Sequence, residues 1–319
     1  MDRKKNFLCL FPLHMRELLM NAGLDFENLR EIRLRAEQPI LLATAQGERT
    51  IVQNGRLSAN YQDGIRISMT ELSEVLDYLC GSSVYAYEEE LKKGYLTVQG
   101  GHRVGLCGSV SLENGQVKTY RYISSMNIRV AHEIKGAADW VYPYLHAGRN
   151  YFYNTLIISA PGLGKTTLLR DIVRQASNEK FQVCVVDERS EVAGCYMGLA
   201  QNDLGLRTDV LDNCRKAEGM MMAVRAMSPA VIAADEIGGV EDVQAIRTVL
   251  RCGCSIVATV HGESVEDIRK RPAMSALIEE HVFTRYVVLC CRNQNKKIQR
   301  TVLDADLAVI KDILDGESI

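Results

Sequence analysis

The chain has 319 residues, of which 47% are hydrophobic and 24% charged, with a formal net charge of −2 at pH 7. This length suffices for two domains, and the composition is that of a globular protein rather than a disordered chain. Up to residue 135 there are 17 Lys and Arg against 16 Asp and Glu, and after it 21 against 24. Because neither part has the basic excess of a protein that binds nucleic-acid backbones, we expect no nucleic-acid partner.

The cysteines and the apolar segments indicate the cellular compartment. The 10 cysteines form no C-x-x-C pair and fit no closed zinc site, so reduced thiols in a cytoplasmic protein are expected. A short apolar stretch near the N-terminus is interrupted by His14 and Arg16, which argues against a signal peptide. No uninterrupted apolar run approaches the length of a transmembrane helix. We expect no direct membrane span, and any association with a membrane would depend on a partner.

Residues 1–135 are predicted to form a smaller α+β domain. Ile32 and Leu34 alternate with charged residues, as in a half-buried strand, and Thr70–Cys80 has the apolar spacing of an amphipathic helix. Further strands are predicted at Pro39–Ala43, Gly94–Val98, Arg103–Leu112 and Gln116–Ile123, with a hairpin turn at Glu113–Gly115.

Residues 136–319 are predicted to form an α/β domain with a mainly parallel sheet, because strands there alternate with helices. The predicted strands are Asn154–Ser159, Phe181–Asp187, Ala230–Asp235 and Ser255–Val260, and the predicted helices are Thr166–Ala176 and Val240–Arg251. Arg285–Cys291 and Lys297–Leu303 are predicted to form an antiparallel hairpin, followed by a short C-terminal helix. Ligands of such sheets bind at the carboxyl ends of the strands.

A glycine-rich loop lies between the first predicted strand and the first predicted helix of this domain, which is the position of a P-loop. Its glycines allow backbone N–H groups to face phosphates, and the helix N-terminus favours anions. We expect Lys165 to bridge the β- and γ-phosphates of ATP, Thr166 to ligate Mg²⁺ and Thr167 to approach the α-phosphate. Ser159 replaces the first glycine of the usual pattern. The predicted nucleotide-binding residues are Ala160, Pro161, Gly162, Leu163, Gly164, Lys165, Thr166 and Thr167.

A Walker B motif is predicted where the apolar strand Ala230–Asp235 ends in Asp235 and Glu236. In such a pair the first carboxylate holds Mg²⁺ through water, and the second polarises the attacking water. The alternative is an acidic pair that only caps the following helix. The upstream P-loop favours the catalytic interpretation, in which Glu236 and Lys165 are catalytic and Asp235 joins Thr166 at the metal.

Two other strand ends carry candidate catalytic groups. The acidic box after the second strand contains Asp187, Glu188 and Glu191, although such a cluster also fits a solvated turn. His261 ends the fourth strand, at the side expected to face the γ-phosphate. A single histidine is more often structural, but at this strand end it could sense whether the γ-phosphate is present.

These motifs, in this order, resemble those of the secretion-ATPase superfamily, which includes the motors of type II and type IV secretion and of pilus retraction. Over nearly its full length the chain is more similar still to the stage III sporulation protein AA family of endospore-forming bacteria. The resemblance implies a RecA-like P-loop NTPase core. The stretches that carry it are Glu31–Arg35, Tyr85–Glu90, Gly100–Gly105, Ser124–Arg129, Glu133–Gly136, Asp187–Gly194, Met227–Pro229 and Asp235–Gly239.

The chain also departs from the pattern of the secretion motors. Their Walker B strand typically ends in Gly-Glu followed by Arg-Asp, whereas here Asp235-Glu236 is followed by Gly238-Gly239. Their acidic box usually begins with Glu-Asp instead of Asp-Glu. Glu236 is therefore the principal catalytic candidate, and Glu188 and Glu191 are secondary ones.

The resemblance further implies a homo-oligomeric ring, a hexamer by analogy, in which arginines of the N-terminal domain approach the phosphates. Arg103 and Arg129 match that pattern best, and Arg121 is a weaker candidate. The alternative is that they are ordinary solvated residues on strands. The sequence leaves open whether they act in their own subunit or in a neighbour.

The leading functional hypothesis is a cytoplasmic, Mg²⁺-dependent ATPase of the mother cell. It would energise a secretion-like complex of integral membrane proteins during endospore formation. The alternative is a nucleic-acid-acting RecA-like ATPase, which would need basic grooves with aromatic residues, yet aromatics are 6% of the chain. A non-hydrolysing nucleotide-bound scaffold is a third hypothesis, against which Lys165, Thr166, Asp235 and Glu236 argue.

Overall fold

A computed structural model describes residues 3–81, 87–148, 150–292 and 297–314. The residue contacts divide the chain into two compact units, Met1–His132 and Glu133–Ile319. Tyr85 and Ala86, which begin the stretch Tyr85–Glu90, lie outside the described residues. Within the described ranges, no helix combines the length and the apolar character needed to cross a bilayer.

The first unit is built on an antiparallel sheet. Its helices are α1 (Arg3–Leu8), α2 (Leu13–Asn21), α3 (Met69–Leu79) and α4 (Glu88–Lys92). Its strands are β1 (Leu29–Arg35), β2 (Gln38–Pro39), β3 (Leu41–Thr44), β4 (Gly47–Ile51), β5 (Leu57–Ser58), β6 (Arg66–Ile67), β7 (Tyr95–Val98), β8 (His102–Glu113) and β9 (Gln116–Arg129). Single 3-10 turns lie at Phe26–Asn28 and Tyr61–Asp63. The sheet order is β5-β4-β3-β1-β9-β8-β7, and β2 pairs separately with β6.

The core of this unit follows the predicted periodicities. Ile32 and Leu34 of β1 are fully buried, whereas Arg33 and Arg35 point to the other face of the sheet. Helix α3 is preceded by the N-cap Ser68, whose side chain forms a capping box with Glu71, and the helix buries its predicted apolar face. The predicted turn between β8 and β9 is confirmed, because Asn114 (φ 53°) and Gly115 (φ 78°) are both left-handed, as in a type I′ turn.

The second unit is built on a mainly parallel sheet. Its helices are α5 (Lys165–Asn178), α6 (Lys216–Ala226), α7 (Val240–Arg251), α8 (Val265–Arg269) and α9 (Pro272–Glu279), with a 3-10 turn at Tyr142–Tyr144. Its strands are β10 (His146–Ala147), β11 (Tyr151–Phe152), β12 (Thr155–Ser159), β13 (Val183–Asp187), β14 (Thr208–Asp212), β15 (Val231–Ala234), β16 (Ser255–His261), β17 (Arg285–Arg292), β18 (Lys297–Leu303) and β19 (Val309–Leu314).

The large sheet has the order β14-β13-β15-β16-β12-β17-β18-β19. The strands from β14 to β17 in this order are parallel, and β18 and β19 are antiparallel additions. Helix α5 packs on one face of the sheet, and helices α6 to α9 pack on the other. Because both faces are covered, β12, β13 and β15 are buried along their whole length, as is usual in parallel sheets.

The prediction of a C-terminal helix is wrong over Val309–Leu314, which forms β19 and pairs with β18. Residues 315–319 lie outside the described part of the chain. The apolar residues of Val309–Leu314 have a spacing that also suits a helix. Without β19, however, β18 would be the edge of the sheet with unpaired backbone groups, and pairing with those groups decides the structure of Val309–Leu314.

The parallel register brings several carboxyl strand ends to one edge of the sheet. Ser159 at the end of β12 lies beside His261 at the end of β16. Ala234 at the end of β15 lies between Val186 of β13 and Ala258 of β16. The ends of β12, β13, β15 and β16 and the segments that follow them are therefore neighbours, and they contain the P-loop, the acidic box, the Walker B pair and the histidine.

Candidate functional site

The P-loop leaves β12 and enters α5 through two left-handed glycines. Gly162 has φ 80°, and Gly164, the N-cap of α5, has φ 92°. Residues with side chains rarely adopt this backbone conformation, so glycine is strongly favoured at both positions. The first turn of any helix leaves N–H groups without intrahelical acceptors, and here these groups follow directly on the loop. The loop and the start of α5 can thus cradle an anion.

Ser159, the one irregular residue of the motif, does not fill this cradle. It is fully buried, and its hydroxyl donates to the carbonyl oxygen of Ala160 at 2.9 Å. Its own carbonyl oxygen accepts a hydrogen bond from the backbone N–H of Gly262 at 3.2 Å. Ser159 therefore ties the start of the loop to the end of β16.

The P-loop and the Walker B pair meet through two hydrogen bonds. Lys165 Nζ donates to Glu236 Oε1 at 2.6 Å, and Thr166 Oγ1 donates to Asp235 Oδ2 at 2.8 Å. The side chain of Lys165 is only 10% exposed. The residues predicted from two separate motifs therefore form one cluster.

Glu236 has three cationic or potentially cationic neighbours. Besides Lys165, His261 Nε2 lies 2.8 Å from Glu236 Oε1, and Arg189 Nη1 donates to Glu236 Oε2 at 3.0 Å. Burial raises the pKa of the Glu236 carboxyl, but the hydrogen bonds and charges of Lys165 and His261 outweigh burial, and the pKa lies below its usual value. The carboxylate is therefore ionised at neutral pH and accepts a hydrogen bond from Nε2 of His261.

Thr259 is a site residue that the sequence analysis did not single out. It is fully buried on β16, its hydroxyl donates to Asp235 Oδ1, and its oxygen accepts the backbone N–H of Glu236 at 2.8 Å. Glu236 itself is left-handed, with φ 57°. Thr259 thus fixes the turn at which the Walker B strand ends. The sequence feature that could have indicated this role is a hydroxyl residue two positions before His261 on the same strand.

The acidic box serves partly to build its own turn. Asp187 is buried, and its carboxylate accepts the backbone N–H groups of Glu191, Val192 and Ala193 at 2.8–2.9 Å. Burial raises the pKa of Asp187 to about 6, although these three donors oppose the shift. Asp187 therefore stabilises the loop. A solvated acidic turn would instead leave this carboxylate exposed.

Glu188 and Glu191 line one cavity together with Asp235 and Glu236. Glu188 is paired with Lys216 at the start of α6, a cation that the sequence analysis did not identify. Lys216 is 13% exposed. Gly219 of α6 lies against Val186 of β13, where a Cβ would overlap the valine, so the missing side chain lets this helix approach. The predicted secondary carboxylates thus adjoin the predicted principal one, and their catalytic role stays a prediction.

The predicted arginines lie in the first unit, on β8 and β9. Arg103 and Arg129 lie opposite each other in the register of the two antiparallel strands. The guanidinium of Arg103 lies 3.8 Å from the centre of the Tyr95 ring, and Arg129 Nε lies 3.2 Å from Glu31 Oε1. Arg121 is exposed on β9. Each of the two stronger candidates therefore has contacts within its own sheet, and the role of all three toward phosphate stays a prediction.

The donor set at the Walker B strand end fits Mg²⁺. Thr166 and Asp235 present a hydroxyl and a carboxylate, which are the hard oxygen ligands that Mg²⁺ prefers, and they already lie within hydrogen-bond distance of each other. The neighbouring P-loop can supply backbone N–H groups and the Lys165 ammonium to phosphates. The arrangement can therefore hold a metal–triphosphate pair next to the carboxylate of Glu236.

Comparison with known sequences identifies relatives. The family profile described as sporulation stage III, protein AA matches residues 1–305 of this chain. The stage III sporulation protein AA of Bacillus subtilis (strain 168) is 50% identical over 220 residues, which cover 67% of this chain and 71% of that protein. The family resemblance predicted from the short motif stretches is confirmed.

Two solved structures share the fold. The ATPase DotB of Legionella pneumophila superposes with a TM-score of 0.55 at 17% identity, covering 92% of this chain and 81% of DotB. The pilus retraction motor PilT with bound ADP gives a TM-score of 0.58 at 13% identity, covering 92% and 83% of the two chains. The prediction of an α/β, RecA-like P-loop core with a smaller N-terminal domain is thereby confirmed.

The buried hydroxyl of Thr259 provides a test of how the Walker B turn is stabilised. Thr259→Val keeps the shape of the side chain but leaves Asp235 and the N–H of Glu236 without this partner. We expect a loss of about 1–3 kcal/mol in the free energy of unfolding, measured by urea denaturation. Thr259→Ser keeps the hydroxyl and is expected to lose less than about half of that. Equal stability of the valine and serine variants would contradict this role of Thr259.

Proposed function

The chain belongs to the sporulation stage III protein AA family, and from this premise we propose that it is a Mg²⁺-dependent ATP hydrolase. The observation that carries the proposal is the contact of Lys165 and Thr166 with Glu236 and Asp235. These four groups are the lysine, the hydroxyl and the two carboxylates that P-loop ATP hydrolysis needs, and here they lie within one cluster. If the acidic pair only capped a helix, or the glycine loop were a chance turn, these four side chains would not need to contact one another.

In this proposal the P-loop binds the phosphates of ATP, and Lys165 moves from Glu236 to the β- and γ-phosphates. Glu236 then orients a water molecule for attack. The water oxygen forms a bond to the γ-phosphorus while the bond from that phosphorus to the bridging oxygen breaks, and the electron pair of the broken bond stays on ADP. The water protons end on the released phosphate and in solvent, by way of Glu236 where it accepts one.

Other residues of the cluster would support these groups. Bound at Thr166 and Asp235, Mg²⁺ would neutralise charge on the β- and γ-phosphate oxygens. Thr259 keeps Asp235 and the backbone of Glu236 in position. His261 shares Oε1 of Glu236 with Lys165, so it is placed to respond when the lysine leaves. Glu188 and Glu191 would contribute secondary negative charge to the same cavity.

We further propose that the chain is a ring-forming motor, with a hexamer as the leading assembly. The shared fold with DotB and with the pilus retraction motor supports this, as does the division of the chain into two units. Arg103 and Arg129 would approach the phosphates, in their own subunit or from a neighbour, and Arg121 is a weaker candidate. Work would come from a nucleotide-dependent change of angle between the two units.

The membership of the family supports a role in endospore formation. We propose that the motor acts in the cytoplasm of the mother cell and energises a secretion-like complex of integral membrane proteins. It would be peripheral to the membrane through that partner.

The hydrolysis proposal is tested with Glu236→Gln, which keeps the size of the side chain but removes its charge. We expect phosphate release to fall at least about 100-fold relative to the wild type, because the carboxylate no longer polarises water. Binding of a fluorescent ATP analogue should be retained. Glu241→Gln, an exposed residue in the first turn of α7, is the matched control and should keep the wild-type rate. Equally slow phosphate release by wild type and Glu236→Gln would refute the proposal.

The ring is tested by measuring the mass of the chain in solution with and without Mg²⁺-ATP, and the rate per chain against protein concentration. We expect the rate per chain to rise as the assembly forms, since a shared site is completed only by a neighbour. A chain that stays monomeric, with a rate per chain independent of concentration, would contradict a site shared between subunits.

A further inference from the structure

Arg189 lies in the acidic box, two residues beyond the end of β13, and no role for it follows from the sequence pattern. Its Nη1 donates to Oε2 of Glu236 at 3.0 Å, while Oε1 of the same carboxylate accepts from Lys165 Nζ at 2.6 Å. The guanidinium and the P-loop ammonium are thus separated by the width of one carboxylate. Arg189 therefore lies close to Lys165, the residue expected to bind the β- and γ-phosphates.

The backbone that carries Arg189 is fixed on both sides. Asp187 accepts the N–H groups of the three residues from Glu191 to Ala193, which closes the turn. Within that turn Ser190 is left-handed, with φ 52°, and its hydroxyl donates to Asp212 Oδ1. A non-glycine residue is strained in this region unless its surroundings enforce it. The base of the Arg189 side chain is therefore held at a defined place beside the Walker B carboxylate.

The end of the side chain is not held in the same way. Arg189 is 59% exposed, compared with 20% for Glu236 and 10% for Lys165. Among the described residues, the structure shows one hydrogen-bond acceptor for its five N–H donors. An ion pair this exposed contributes little to stability, so the pair is easily exchanged for another anion. Because its backbone is fixed while its guanidinium can exchange partners, Arg189 is suited to move between two anionic groups.

These observations bear on the reaction proposed above, on which this inference rests. We infer that Arg189 is a further catalytic residue, supplied by the same chain, whose guanidinium exchanges Glu236 for the γ-phosphate of bound ATP and neutralises charge on the transferring phosphoryl group. Guanidinium groups suit this task because their fork of donors matches phosphate oxygens. The exchange moves hydrogen bonds only, so the bonds that form and break during hydrolysis are those already described.

The exchange would also change Glu236. Arg189 and Lys165 together contact both oxygens of its carboxylate. When both cations transfer to phosphate, one oxygen becomes available to a water molecule. Arg189 would therefore couple the arrival of the γ-phosphate to the release of the group that orients the water. Because ADP lacks the γ-phosphate, the contact would favour ATP over ADP.

The test uses the full chain with Mg²⁺ and compares Arg189→Gln and Arg189→Lys with the wild type. Arg247→Gln is the matched control, since Arg247 also forms an ion pair with a glutamate, Glu280, at 2.5 and 3.1 Å, outside the site. Phosphate release gives kcat and KM, and fluorescence titration gives Kd for ADP and for a slowly hydrolysed ATP analogue. Thermal unfolding is measured for every variant.

We expect Arg189→Gln to lower kcat by about 100- to 1000-fold, the usual effect of removing one donor that stabilises transition-state charge. Its Kd for ADP should stay within about twofold of the wild-type value, whereas the ATP analogue should bind more weakly, because only the triphosphate would meet Arg189. Arg189→Lys should recover part of kcat, since it keeps the charge without the fork. Arg247→Gln should leave kcat unchanged.

Each of the following results would overturn the inference. A kcat of Arg189→Gln within about twofold of the wild type would exclude a catalytic role, and a higher kcat would make Arg189 an inhibitory clasp on Glu236. Equal weakening of ADP and ATP-analogue binding would indicate a general electrostatic effect. Failure of the proposed function gives a different result, because wild type and Lys165→Ala would then release phosphate at the same rate. If Arg189→Gln does not fold, Arg189→Lys must still show the fall in kcat, and a wild-type rate in that variant overturns the inference.

Discussion

The ion pair between Lys165 and Glu236 is the interaction around which the rest of the site is arranged. It joins the first residue of α5 to the second residue after β15, and both side chains are largely withdrawn from solvent. Two charges removed from water are tolerated only when each is paired and hydrogen-bonded, because desolvation of an isolated charge costs several kcal/mol. His261, Arg189 and the backbone contact with Thr259 supply the remaining partners of Glu236. The parallel sheet makes this possible by ending four strands at one edge.

The same arrangement shows how the site could respond to nucleotide. Its described cations are shared among carboxylates: Lys165 and Arg189 with Glu236, and Lys216 with Glu188. A triphosphate brings negative charge to the P-loop and competes for the cations nearest to it. The pairs are therefore alternatives to nucleotide contacts, and a bound nucleotide can replace them. Asp187 and Thr259 take no part in such an exchange, because they hold the two turns from which Arg189 and Glu236 project.

Much of this could be predicted from the sequence, and the reasons for success and failure are physical. The P-loop and the Walker B pair are local patterns whose spacing is set by a strand, a turn and a helix. The alternation of strands and helices likewise predicted the parallel sheet. Thr259, Lys216 and Arg189 belong to the site only because strand ends meet in space, and no local spacing encodes that meeting. Val309–Leu314 has apolar residues at positions that suit a helix, yet it pairs as a strand with β18, whose backbone groups on that side would otherwise have no partner. Asp187 is a further case that the sequence does not predict. A carboxylate in an acidic run is expected at the surface, but here it is buried beneath the turn that it stabilises.

Lys165 and Glu236 are expected to separate when a nucleotide binds. The most direct measurement is a crystal structure of the full chain with Mg²⁺ and a non-hydrolysable ATP analogue. We predict that Lys165 Nζ will lie about 3 Å from oxygens of the β- and γ-phosphates, with Glu236 released from the lysine and facing the γ-phosphate. If the analogue occupied the P-loop while Lys165 remained at its 2.6 Å contact with Glu236, the account would be contradicted.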